Sequence, residues 1–286
     1  MPPPLDPSTQ EDRIQIQGIE IALACPDQLQ CRWIGQRDVL QQLLAAWLVI
    51  DEQDLPLNPR LVGKPGVGKT TLAYAAASQL GRPVYIYQCT MDTRPEDLLI
   101  TPVIDQGGKI RYAASSLVSA MLRGGIAILD EANRMSEKAW ASLAALLDGR
   151  RYVESIVAGL KLHASADFRI CVTMNDDAST FELPEYIHSR LQPQIYLEFP
   201  EAEEEKRILR ENLPFVDEAI LDYVVAFLQR AHQANQGYTL RDGINIARYA
   251  AKRLYELRLH KEPDREGLLR QAIAMTVGDE ALIYLG

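Results

Sequence analysis

The stretch Leu61-Val62-Gly63-Lys64-Pro65-Gly66-Val67-Gly68-Lys69-Thr70 decides how the rest of this chain reads. An apolar pair leads into a glycine-rich loop, and Lys69-Thr70 opens a segment, Thr70 to Leu80, rich in alanine and therefore in helix propensity. The pattern GxxxxGK[ST] between a strand and a helix is a phosphate cradle. Its glycines turn backbone N–H groups toward an anion with no Cβ in the way, and the helix N-terminus adds its dipole. Gly63, Lys64, Pro65, Gly66, Val67, Gly68, Lys69, Thr70 and Thr71 are thus the expected nucleotide-binding residues. Lys69 is expected on the β and γ phosphates of ATP, and the Thr70 hydroxyl on Mg²⁺. A plain glycine turn would account for the glycines but not for Lys69-Thr70.

Outward from the loop, strand and helix signals alternate. Strand-like runs are expected at Val84 to Gln88, Ile126 to Leu129, Phe168 to Thr173 and Ile195 to Phe199, and helices at Ser115 to Arg123 and Glu137 to Leu147. Such alternation predicts an α/β fold built on a parallel sheet. Ligands of such sheets bind at the carboxyl ends of the strands, and two of those ends carry polar groups. Ile126 to Leu129 runs into Asp130-Glu131; Asp130 is suited to hold Mg²⁺ and Glu131 to orient and deprotonate the attacking water. Asn175 closes the run Ile170 to Met174, where its amide would reach the γ phosphate if that strand lies between the other two. The bland alternative for Asn175-Asp176-Asp177 is a turn with side chains bonded to backbone.

The flanks are simpler. Residues 1–12 are proline-rich and polar, and short alternating runs on either side of Gly18 read as a hairpin. Val39, Leu40, Leu43, Leu44, Trp47 and Leu48 form the stripe of an amphipathic helix. After Pro200 the strand signals stop, and helices are expected near 203–211, 217–235, 240–258 and 264–276, separated by Pro214, Gln236-Gly237-Tyr238 and Pro263. The run Glu201 to Glu211 mixes both signs at helical spacing and reads as a solvated helix face. This organisation gives three parts: a tail and hairpin over 1–30, a nucleotide-binding core over 31–200, and a helical lid over 201–286.

Thirty basic against 39 acidic residues leave a net charge of −9, which disfavours a phosphate-backbone partner. The N-terminus has no basic-then-apolar leader, and no apolar run is long enough to span a bilayer, so a cytoplasmic location is expected. Cys25, Cys31, Cys89 and Cys171 form no CxxC pair and read as reduced, structural thiols.

From about Ile34 to Arg253 the chain resembles the AAA+ ATPases of the MoxR-like branch. The resemblance lies in Gln88-Cys89-Thr90 with Asp97-Leu98-Leu99, the box Asp130-Glu131-Ala132-Asn133-Arg134, and Leu183-Pro184-Glu185 leading to Arg190. It implies a five-stranded P-loop core and a helical lid, with Asn175 as the first sensor and Arg241, in Thr239-Leu240-Arg241-Asp242, as the second. Arg190 would be a finger completing a neighbouring subunit's site, with Arg150 and Arg151 as rivals for that role. Thr101 to Tyr112 and Arg151 to His163 look like the two hairpin insertions of this branch, which in relatives face a ring's pore or a partner; each could equally be an ordinary hairpin. The box has Ala132 where the branch has isoleucine, and Asp176 follows Asn175 where proline is usual.

The resemblance implies an ATP-driven remodeller, a homo-oligomeric, hexameric ring, acting on a protein client with a von Willebrand factor A domain protein as a candidate partner. A module that signals by ATP occupancy alone is the alternative, and Glu131 speaks against it because pure binding gains nothing from a base. A small-molecule kinase would need an acceptor pocket where the chain has two hairpins and a lid, and a Ras-like GTPase would need an NKxD motif absent after the loop.

Overall fold

The computed structural model describes residues 12–104, 107–176, 183–258 and 264–285. Most of the proline-rich tail lies outside the described residues, as do Gln106 of the first expected insertion turn, Asp177 and the break at Pro263.

The chain opens with β1 (Arg13–Ile16) and β2 (Ile19–Ala22), antiparallel about a turn in which Gln17 and Gly18 both have positive φ. Helix α1 (Arg37–Trp47) follows, burying Leu40, Leu43, Ala46 and Trp47. It stops one residue short of the expected stripe, so Leu48 is exposed. Trp47 donates from Nε1 to the Ile170 carbonyl and its own carbonyl accepts from Arg169 Nε, which fixes the helix end to a central strand.

Next come β3 (Arg60–Gly63), α2 (Lys69–Gln79) and β4 (Val84–Gln88). A 3-10 turn at Pro95–Leu98 precedes β5 (Ile100–Ile104) and β6 (Ile110–Ala114), the antiparallel arms of the first insertion. Strand β6 also runs parallel to β2, so the order β1-β2-β6-β5 makes one four-stranded sheet of the N-terminal hairpin and the insertion.

Helix α3 (Ser116–Arg123) is capped by Ser115, whose hydroxyl accepts from Val118 N, and ends at Gly124 in the left-handed conformation that favours glycine. Strand β7 (Ile126–Asp130) and β10 (Arg169–Asn175) are buried along nearly their whole length, the signature of strands covered on both faces. Between them lie α4 (Glu137–Leu143), capped by Ser136, and the second hairpin, β8 (Tyr152–Ser155) with β9 (Leu160–His163). Regular helix ends at Leu143 rather than Leu147; the remaining residues are turns. After the short α5 (Glu185–His188), β11 (Gln194–Leu197) completes a five-stranded parallel sheet in the order β11-β3-β10-β7-β4. Strand β10 therefore sits between β3 and β7, the condition on which Asn175 was expected to face the nucleotide.

The remaining chain forms α6 (Ala202–Asn212), α7 (Glu218–Gln233), α8 (Leu240–Arg258) and α9 (Arg265–Val277). Leu209, Leu221, Val224, Phe227, Leu228, Ile246 and Ile273 make their core. The charge run on α6 is not wholly solvated: Glu205 is fully buried, its Oε2 accepting from Gln229 Nε2 at 2.9 Å. Helical spacing turns that one acid onto the apolar side, and burial pushes its pKa up to about 7.

Two compact units divide the chain. One takes in the segment up to Arg32, Asp38–Val62 and Thr70–Tyr196; the other takes in Trp33–Arg37, Gly63–Lys69 and Leu197 onward. Cys89 and Cys171 are buried while Cys25 and Cys31 are exposed, so only the first pair belongs to the core; all four are free thiols. Among the described residues no helix is long and apolar enough to cross a membrane.

Candidate functional site

The glycine loop runs from the end of β3 to the first residue of α2. Gly66 and Gly68 have φ of +75° and +96°, values an L side chain takes only with strain. Space forbids side chains here as well. A Cβ on Gly63 would lie 2.4 Å from the Leu197 carbonyl oxygen, and one on Gly66 would lie 2.6 Å from Thr239 Cβ. Lys69 is buried, and its Nζ donates to the carbonyls of Gly63 and Lys64 at 2.8 and 2.9 Å. The ammonium is thus held inside the curl of its own loop, where an anion on the backbone N–H groups would meet it.

The loop is grouped with residues to which sequence reasoning gave no role. The Trp33 ring is the neighbour a Cβ on Gly68 would touch, at 3.2 Å. Gly35 and Gln36 both have positive φ, and Gln36 N–H donates to Glu204 Oε1 at 3.1 Å. A glycine-centred turn just ahead of α1 was the signal available. Lys64 Nζ lies 5.4 Å from the centroid of the Phe199 ring, which stacks on His232 at 3.9 Å. His232 is held by the Tyr238 carbonyl, and burial lowers its pKa. Thr239 then caps α8 reciprocally with Asp242, Thr239 N donating to Asp242 Oδ2 and Asp242 N to Thr239 Oγ1. This capped first turn carries Arg241, which is exposed.

The carboxylates stand at the end of β7. Asp130 Oδ1 accepts from Thr70 Oγ1 at 2.6 Å and from Thr173 Oγ1 at 2.5 Å. Thr173, unremarked in the sequence, also accepts from the Glu131 N–H at 2.9 Å; its signal was a hydroxyl two residues before Asn175 in an otherwise apolar strand. Two hydroxyls gathered on one carboxylate oxygen are hard oxygen donors of the kind Mg²⁺ takes. Among the described residues no cluster of three His, Cys, Asp or Glu side chains could hold a metal alone. Thr70 and Asp130 fit the ion expected of them.

Glu131 follows with backbone φ 54° and ψ 41°, left-handed for a residue with a side chain. Its Oε1 accepts from Asn175 Nδ2 at 3.3 Å. Asn133 and Asn175 are both buried and bonded twice: Asn133 Nδ2 donates to the Asn175 carbonyl at 2.8 Å, and Asn175 N–H donates to Asn133 Oδ1 at 3.3 Å. Asp130, Glu131 and Asn175 are therefore brought together from two neighbouring strands, as the sequence reading required.

The three arginines part ways. Arg151 donates through Nη2 to the Phe168 carbonyl at 2.9 Å, and burial lowers its pKa; it is a strut, poorly suited to reach outward. Arg150 is exposed and forks onto Asp148, Nε to Oδ1 at 3.0 Å and Nη2 to Oδ2 at 2.8 Å. Arg190 Nη2 lies 3.5 Å from the same Asp148 Oδ2. Hydrogen bonding from Arg150 leads the causes that hold the Asp148 pKa down at about 2. Arg190 is anchored further by Asn58, whose Nδ2 donates to both the Arg190 and Leu147 carbonyls. A cavity of about 270 Å³ opens beside them, lined in part by Asn58, Asp148, Arg151 and Arg190.

Residues 60–191 match the family model of the AAA domain, dynein-related subfamily. This stretch is similar to an AAA domain. The AAA+ fold extends further: RuvB, the Holliday junction branch migration motor of Thermotoga maritima, superposes with a TM-score of 0.58 over 87% of this chain and 72% of that one, at 17% identity. An uncharacterised protein of Staphylococcus haemolyticus is 25% identical over 179 residues, 61% of this chain and 68% of that protein. The mouse von Willebrand factor A domain-containing protein 8 is 29% identical over 219 residues, 67% of this chain but only 11% of that much longer protein.

Proposed function

We propose that this AAA+ chain binds ATP with Mg²⁺ and hydrolyses it at subunit junctions of a MoxR-like hexameric ring to remodel or activate a partner protein. The observation that carries the reading is a second carboxylate, Glu131, engaged by the Asn175 amide next to the cluster of Thr70 and Thr173 on Asp130, because a site that only bound nucleotide would have no use for the extra carboxylate. Lys69 and the loop N–H groups hold the phosphates, and Thr70 and Asp130 hold the ion, which when bound neutralises charge on the phosphate oxygens. Glu131 orients and deprotonates water, Asn175 senses the γ phosphate, and Arg190 acts on the neighbour's nucleotide. Arg241 serves as the second sensor on a lid comprising 201–286, with 31–200 as the core and 1–30 preceding it.

Support for a protein client comes from the insertions, where Ile104 and Ile110 on the first hairpin and Ile156 at the tip of the second are 76%, 65% and 93% exposed. Apolar side chains left exposed on both hairpins suit contact with a protein surface. The mouse relative, by its name, contains a von Willebrand factor A domain, which supports a separate protein with that domain as the partner.

ATP binding and turnover measured on Lys69→Ala and Glu131→Gln test the reading. Lys69→Ala should lose binding, while Glu131→Gln should bind ATP and fail to release phosphate. Parental turnover by Glu131→Gln would end the assignment of the base; tight ATP binding without measurable turnover by the parent would leave the occupancy-signalling module as the function.

A further inference from the structure

Both oxygens of the Glu131 carboxylate are engaged. Oε1 accepts from Asn175 Nδ2 at 3.3 Å, and Oε2 pairs with Arg134 Nε at 2.6 Å. The two contacts differ in kind. One is a long hydrogen bond from a neutral amide; the other is a close ion-pair contact with a guanidinium, without hydrogen-bond geometry, whose Coulomb attraction persists as the side chains shift. An incoming phosphate that competes for the Asn175 amide therefore breaks the weaker contact first.

The surroundings restrict what can then move. Asn133 grips the main chain of Asn175 from both sides, so only the Asn175 side chain is at liberty to turn. The Glu131 main chain is fixed by its N–H bond to Thr173, and Arg134 stands within the same short 3-10 turn, Ala132–Arg134. A glutamate side chain released from its only anchor would sample several rotamers, and a misplaced base loses the advantage of proximity.

We propose that Arg134 is a positioning residue for hydrolysis: it keeps hold of Glu131 Oε2 while the departure of the Asn175 amide uncovers Oε1 for water. The inference rests on Glu131 being the base. In the step it serves, Oε1 takes one proton from water as the water oxygen bonds to the γ phosphorus, and the bond to the bridging oxygen breaks to release ADP. With Arg134 and Glu131 side chains 35% and 33% exposed, the ion pair is open enough to water to add little to stability, so its consequence is orientation.

The test is carried out on the full, assembled chain with Arg134→Gln, Arg134→Lys and Glu131→Gln beside the parent, reading kcat, KM, the Kd of a fluorescent ATP analogue and the Tm. Arg134→Gln should lower kcat by about tenfold or more, the range that loss of alignment produces, with Kd and Tm unmoved. Arg134→Lys should recover part of that loss. A parental or raised kcat in Arg134→Gln overturns the proposal, as does a fall in kcat matched by falls in affinity and Tm, which would mark a structural role. Should the glutamine variant not fold, Arg134→Met, which keeps the apolar stem, answers by the same criteria. A Glu131→Gln variant that hydrolyses ATP normally removes the base assignment itself; a dead Glu131→Gln beside a parental Arg134→Gln removes Arg134 alone.

Discussion

Replacing Glu205 by glutamine should make the protein more stable at neutral pH and leave it unchanged in acid. Glu205 is fully buried on α6, and desolvation raises its pKa from an ordinary 4.5 to about 7, against a smaller opposing effect of the hydrogen bond from Gln229. The folded chain therefore holds the proton more tightly than the unfolded chain. Between roughly pH 4.5 and 7 the native state carries more bound protons, so stability must fall as pH rises through that window and level off above it. At about 1.4 kcal/mol per pKa unit, the ionised carboxylate costs on the order of 3 kcal/mol above pH 7. Glutamine does not titrate, and its side-chain carbonyl can still accept from Gln229. Urea unfolding followed by far-UV circular dichroism from pH 4.5 to 8.5 should show the two proteins together at the acid end and diverging toward pH 8. A stability difference independent of pH, or a variant less stable than the parent at pH 8, would refute the claim that Glu205 is buried at the cost of its charge.

Gly66→Ala should cost about 2 to 4 kcal/mol, combining left-handed backbone strain with overpacking against Thr239, and should weaken ATP binding; calorimetry and nucleotide titration check both. Arg151→Ala should lower stability by roughly 1 to 3 kcal/mol through unsatisfied carbonyls, whereas Arg190→Ala should cut turnover with little change in Tm or ATP affinity. If Arg190 works in trans, mixing Arg190→Ala with Glu131→Gln subunits, each inactive alone, should restore partial hydrolysis; mixed rings with none would count against that route. Light scattering should show the mass of the parent rising with a slowly hydrolysed ATP analogue, and one unchanging monomer mass at high concentration would count against a ring.

What the sequence determined by itself were the features that need only local chemistry. The loop from Gly63 to Thr70 was legible because a phosphate cradle demands glycine at fixed spacing and a lysine at its end. Buried parallel strands such as β7 and β10 read as unbroken apolar runs, and that same contrast exposed Asp130, Glu131 and Asn175 at their ends. Tertiary structure alone decided what depends on contacts between distant segments. Strand β2 joins β6 across some ninety residues, a pairing no periodicity announces. Thr173 reaches Asp130 because β10 lies beside β7, and an alternating apolar count treats that hydroxyl as one more strand residue. Glu205 looked like part of a solvated charge run because composition records charge but not which side of α6 faces a core. The three arginines have identical chemistry in sequence; only packing made Arg151 a strut against the Phe168 carbonyl and set Arg150 and Arg190 on the shared carboxylate of Asp148.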